Sequence, residues 1–201
     1  MQTVLVMKNP IYFIHLVTAL TCFLRATLAS KIVEYDFRIG YFIASPDGYP
    51  VNVLGVNDQL PSPTIEVTKG DTLIVNVFNN DPAHSHSLHW HGLSQKGSAE
   101  MDGVVGVTQC GLPPFKSMTY RFVIMDDPGT YWYHGHSGLN KIGVRGIGGL
   151  LIVKAPEGED VHHELYSDDK ELFLQDWSHE SPHDHYMKAL GGLHPPVAQS
   201  A

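Results

Sequence analysis

A chain of 201 residues has room for one well-buried domain and the start of another. With 43% hydrophobic and 17% charged residues it can bury a core, which excludes wholesale disorder. Residues 1–30 hold two of the 13 Lys and Arg and none of the 21 acids, so the chain carries −8 overall and −10 beyond residue 30. A surface of that sign repels phosphate backbones and argues against a nucleic-acid partner.

The chain opens on Lys8, an apolar stretch of 14 residues from Ile11 to Leu24, and small residues from Ala26 to Ser30. This is the layout of a secretory signal peptide cut after Ala29 or Ser30. A membrane-crossing helix needs about 20 apolar residues, so secretion is expected over membrane anchoring. Loss of the leader removes Cys22 and leaves Cys110 alone. Two readings then stand open: a cysteine that pairs with another segment or chain, or a buried free thiol.

From Val33 the residues alternate, with Val33, Tyr35, Phe37, Ile39 and Tyr41 on one side and charges between them. A period of two predicts a half-buried strand. Ser45-Pro46-Asp47-Gly48 turns the chain into a second strand, Val51–Val56. Thr64–Thr68 and Thr72–Phe78 follow as a hairpin-like unit around Lys69-Gly70-Asp71, closed by Asn79-Asn80-Asp81-Pro82. Further strands are predicted at 87–91, 117–125, 129–136 and 149–154, and turn signals recur at the spacing of a β-sandwich. Residues 155–170 are polar and read as a linker, and Glu171–Trp177 as one more strand. The expected organisation is a signal peptide over 1–30, an all-β domain over 31–157, and over 158–201 a linker with the beginning of a second domain.

Two histidine pairs dominate the chemistry: His89-Trp90-His91 and His134-Gly135-His136. In a strand, side chains two residues apart leave the same face about 7 Å apart. Each pair therefore aims two imidazoles one way, with Trp90 turned to the opposite face. Imidazole suits copper, zinc, iron and nickel, and four such rings could line a multinuclear site.

The flanks narrow the choice. The chain gives Leu88-His89-Trp90-His91-Gly92-Leu93-Ser94-Gln95, Met101-Asp102-Gly103-Val104, Val107-Thr108-Gln109-Cys110 and Pro128-Gly129-Thr130-Tyr131-Trp132-Tyr133-His134-Gly135-His136-Ser137. This ordered set resembles the first domain of the multicopper oxidases, the laccase, ascorbate oxidase and ferroxidase family. Pro63–Val67 and Gly70-Asp71 match the family's opening strands, and Gln175–His179 looks like entry into a second domain.

The resemblance implies a Greek-key cupredoxin β-sandwich, with a second cupredoxin domain beginning in the tail. It assigns His89 to a type 2 copper and His91, His134 and His136 to paired type 3 coppers. It matches Asp102 to an acid that delivers protons during O2 reduction; an Asp-Gly turn is the plainer reading of that residue. It implies a disulfide from Cys110 to a cysteine in a missing C-terminal cupredoxin domain. Gly135, where many relatives have serine, and Gly111, where proline is usual, are small departures. No separate organic cofactor site is implied.

A type 1 copper needs a Cys thiolate flanked by His ligands, and no His-Cys-His occurs here. The family's other cluster histidines, from its last domain, are also missing. The expected function is therefore half of a trinuclear copper centre in a secreted oxidoreductase. The complete enzyme would couple reduction of O2 to oxidation of a phenolic, ascorbate-like or ferrous substrate, and this chain alone would be inactive.

An alternative is a non-catalytic extracellular copper-binding module. A zinc hydro-lyase with a strand His-x-His is disfavoured, because Glu100 is followed by Met101 where a third histidine is needed. His84, His86, His162, His163, His179, His183 and His185 are expected to be solvated loop residues.

Overall fold

The computed structural model describes residues 30–138, 146–180, 187–188 and 190–191. The expected signal peptide lies outside them except for Ser30, as do His183 and His185. No helix of the described residues is long and apolar enough to cross a membrane.

The unit that begins at Ile32 is built from strands β1 (Ile32–Ala44), β2 (Val51–Val56), β3 (Ile65–Thr68), β4 (Thr72–Asn79), β5 (Leu88–His91), β6 (Ser117–Val123), β7 (Gly129–Gly135) and β8 (Gly148–Lys154). A short 3-10 helix, Ala99–Met101, follows β5. The strands form two sheets, in the orders β2-β1-β4-β6 and β3-β8-β7-β5. From β2 to β7 each connection crosses from one sheet to the other. This is the two-layer cupredoxin sandwich that the motifs implied.

Alternation places one face of each sheet in a shared core. Phe37, Ile39, Leu54, Val56, Leu73, Val75, Val77, Tyr120 and Phe122 meet Ile65, Val67, Leu88, Trp90, Tyr133, Leu151 and Val153. Trp90 is fully buried and packs edge-on against Tyr120, with centroids 5.3 Å apart, and lies 6.0 Å from Tyr133. Both tyrosine hydroxyls are satisfied: Tyr120 accepts from the Leu88 N–H at 3.0 Å, and Tyr133 donates to the Pro63 carbonyl at 2.6 Å.

Three expectations need correction. β3 and β4 are not a hairpin. The Lys69-Gly70-Asp71 turn, held by Asp71 N–H to Thr68 O at 2.9 Å, carries the chain between sheets, where β3 pairs with β8 and β4 with β1 and β6. Second, the inward face of β1 changes at Gly40. Tyr41 is exposed, while Phe42 and Ala44 pack with Val51, Val53 and Trp177 in a second, smaller cluster. Beyond Ile39, β1 has left β4 and pairs only with β2, whose Val53 and Leu54 are buried on opposite faces.

The third correction concerns Glu171–Trp177, which is not a strand: only Trp177 takes part in an isolated bridge. Leu172 and Leu174 stay exposed, and the segment is held by side chains instead. Trp177 fills the second cluster, Thr64 Oγ1 donates to Glu171 at 3.3 Å, and His179 bonds Asp47 at 2.7 Å while stacking on Tyr49.

Candidate metal centre

β5 is the edge strand of the second sheet, and its register with β7 builds the site. His89 lies opposite His134, Trp90 opposite Tyr133, and His91 opposite Trp132. Partners directly across a ladder share a face. Trp90 and Tyr133 therefore go inward together, and His89, His91, Trp132 and His134 go outward together.

His136 lies just past the end of β7, and its ring joins the same group. Ring centroids are 5.7 Å apart for His89–His91, 5.4 Å for His89–His134, 5.1 Å for His89–His136, 5.4 Å for His91–His134 and 5.7 Å for His134–His136. The four sequence-predicted histidines thus come together at one edge of the sandwich. One ring nitrogen from each of His89, His91 and His134 lies within 4.8 Å of the other two.

Hydrogen bonds set which nitrogen of each ring is available. His89 Nδ1–H donates to the Asp102 carbonyl at 2.8 Å, and His134 Nδ1–H to the Gly135 carbonyl at 2.9 Å. In each neutral ring the lone pair is then on Nε2. Nε2 of His134 lies 3.2 Å from Nδ1 of His91. His91 can donate a proton across that gap, or both nitrogens can bind one ion at the usual imidazole–metal distance of about 2.0–2.1 Å.

Burial is the main force that pulls the His134 pKa down to about 4. Its bond to the Gly135 carbonyl opposes that shift, and the nearby rings of His89, His91 and His136 add to it. His134 is therefore neutral at pH 7, the form that binds a metal. A set of pre-oriented imidazoles fits a copper-type ion by its donor chemistry.

The loop after β5 wraps the open edge of that strand and fixes the site from behind. Two successive carbonyls receive two successive side chains: Met101 O accepts Trp90 Nε1–H at 2.9 Å, and Asp102 O accepts His89 Nδ1–H. The Asp102 carboxylate lies 3.3 Å from the same nitrogen. Gly103 permits this close approach. It has φ +84°, and a Cβ there would sit 1.6 Å from the Leu88 carbonyl oxygen.

Other residues depart from expectation. His86 is not a solvated loop residue. It is fully buried, with Nε2 2.8 Å from Asp81 Oδ2, while half-buried His84 approaches the same oxygen at 3.1 Å. Burial lowers the His86 pKa and outweighs the pull of Asp81 in the other direction. Cys110 is exposed and free among the described residues, so the buried-thiol reading fails. His162 and His163 are exposed, as expected.

The motifs give no role to Trp132, which the fold places on the same outward face as His91 and His134. Its place two residues before His134 in a strand was the available signal.

An all-β sandwich with imidazoles gathered at one edge, from β5 and the end of β7, is a cupredoxin-type metal domain. The multicopper oxidase family model matches residues 38–158. The chain is 46% identical over 148 residues to laccase-1 of Cryptococcus neoformans var. neoformans, covering 74% of this chain and 23% of that protein. It is 39% identical over 155 residues to L-ascorbate oxidase of Cucumis sativus, covering 76% of this chain and 25% of that protein.

Among solved structures, Fet3p, a multicopper oxidase that functions in iron import, matches with a TM-score of 0.72 and 32% identity. The match covers 85% of this chain and 32% of that one. The chain belongs to the multicopper oxidase family, and it spans about a quarter of the length of the curated relatives it matches.

Proposed function

We propose that this domain supplies half the ligands of a type 2/type 3 trinuclear copper centre in a secreted, laccase-like oxidase. His89 serves the type 2 copper, and His91, His134 and His136 the type 3 pair. The observation that carries the reading is the β5–β7 register, which sets His89 against His134 and brings three imidazole nitrogens within 4.8 Å.

Copper, when bound, supplies the one-electron chemistry by which O2 is reduced to water at the expense of a phenolic, ascorbate-like or ferrous substrate. The protein's part is to orient and to supply protons. The Asp102 and Gly135 carbonyls hold His89 and His134 in fixed tautomers. The Asp102 carboxylate, beside His89, is placed to pass protons toward the site.

Residues 1–30 act as the secretion signal, and 158–201 lead into a second cupredoxin domain. Exposed Cys110 forms a disulfide with a further segment of the complete protein. The 201-residue chain alone is inactive, since a type 1 site and the remaining cluster ligands must come from elsewhere.

The test is to isolate the natural secreted product and follow oxygen uptake with a phenol, ascorbate and ferrous iron, with the 201-residue chain in parallel. Uptake by the natural product and none by the chain is expected. A natural product that carries copper and consumes no oxygen with any of the three reductants would instead support a non-catalytic copper-binding module.

A further inference from the structure

Trp132 occupies a place that burial does not explain. The inner face of β7 is filled by Tyr133, and Trp132 lies on the outer face with 37% of its surface open. An indole offers 150–250 Å² of apolar area and ordinarily gains most by leaving water. Its neighbour across the ladder on β8 is Leu150.

The indole instead matches two imidazoles. It stacks on His134 with centroids 4.2 Å apart and planes within 24°, and it leans over His91 at 5.0 Å and 31°. These are the rings whose nitrogens face each other at 3.2 Å. A planar side chain laid across both restricts rotation of each about its own χ2, the freedom that would otherwise take the nitrogens out of line.

We infer that Trp132 is a positioning residue of the copper centre: its indole, stacked on His134 and leaning over His91, fixes both ring planes for metal binding. It does not touch the reacting atoms. This inference rests on the copper reading above and deepens it, adding an aromatic contact to the carbonyl bonds that hold the ligands.

The experiment uses the 201-residue chain and copper(II) alone as the probe. Trp132→Leu should bind copper about tenfold more weakly, the scale at which outer partners of ligating histidines act. Trp132→Phe, which keeps a ring, should recover most of the loss. Ile152→Ala, a packing change one rung along the same face, should leave affinity unchanged. In the metal-free chain, NMR should find the His134 ring protons displaced upfield by the stacked indole, and Trp132→Leu should return them.

Copper binding by Trp132→Leu as tight as in the unaltered chain overturns the inference, as do His134 resonances that the substitution does not move. If the unaltered chain takes no copper, the half-site needs the ligands that come from elsewhere in the complete protein, and the metal-free spectrum then decides the role of Trp132 by itself. A displaced His134 signal that disappears in Trp132→Leu supports the stack, and an unmoved one overturns it.

Discussion

The two faces of the second sheet are made from alternate residues of the same strands, yet they do opposite work. Inward, Leu88, Trp90, Tyr133 and Leu151 are completely buried and hold the sheets together. Outward, His89, His91, Trp132 and His134 stay partly or largely exposed and are tied by carbonyl bonds and ring stacking. Stability and metal chemistry are thus separated by strand parity alone, and neighbouring residues should respond to substitution in unlike ways.

The largest effect is expected at Trp90. Trp90→Ala should lower stability by about 3–5 kcal/mol in urea unfolding, as for other buried aromatics cut to alanine. His91→Ala, one residue on, should change stability by no more than about 0.5 kcal/mol while greatly weakening copper binding. Equal losses of stability at the two positions would break the comparison.

Gly103 tests whether the loop behind β5 is the bridge between the faces. Gly103→Ala puts a methyl group against the Leu88 carbonyl at positive φ. A cost of about 2–3 kcal/mol is expected from the strained backbone. Copper affinity should fall with it, since the Asp102 carbonyl would move away from His89.

A smaller effect concerns pH. The folded pKa of His86 lies below its unfolded value of about 6.5, so between the two the unfolded chain holds a proton that the folded domain does not. The stabilisation is fully present above about pH 6.5 and is lost as pH falls toward the folded value. Hydrogen bonds from the Ala83 N–H, His86 and His84 outweigh burial and keep Asp81 below the usual carboxylate range, so a second loss follows at lower pH. His86→Gln should be less stable at pH 8, yet its stability should fall less steeply below pH 6.5, by up to about 1.4 kcal/mol per pH unit. Parallel pH profiles for the two proteins would contradict this account.

The smallest effect is expected at Asp102. The strong contact to His89 comes from its backbone carbonyl at 2.8 Å rather than its carboxylate at 3.3 Å. Asp102→Asn should therefore leave copper affinity of the chain nearly unchanged, while slowing oxygen reduction in the complete oxidase if the carboxylate relays protons. A large loss of copper in Asp102→Asn would assign the carboxylate to holding His89 instead.

Much of this was legible in the residues. Alternation at Val33–Ile39 and Leu73–Val77, and the two-residue spacing of each histidine pair, fixed which side chains share a face, because strand period is local and covalent. Hence the shared face of His89 with His91 and of His134 with His136 could be read before any fold was known.

Sheet partnership could not be read in that way, since period two gives a face but names no neighbour. β3 and β4, joined by a tight turn, therefore passed for a hairpin. The change of face at Gly40 and the unladdered course of Glu171–Trp177 depend on Trp177 covering the far side of β2, a contact distant in sequence. The burial of His86 is not legible in the sequence, because its partner, Asp81, is identifiable as a buried carboxylate only in three dimensions.

The most direct measurement is a copper(II) titration of the 201-residue chain, followed by electron paramagnetic resonance for imidazole-nitrogen coupling. Copper should bind with such coupling, and His89→Ala, His91→Ala and His134→Ala should each weaken it sharply, whereas His162→Ala and His163→Ala should not. Copper retained in the first three variants and lost in the last two would contradict the account.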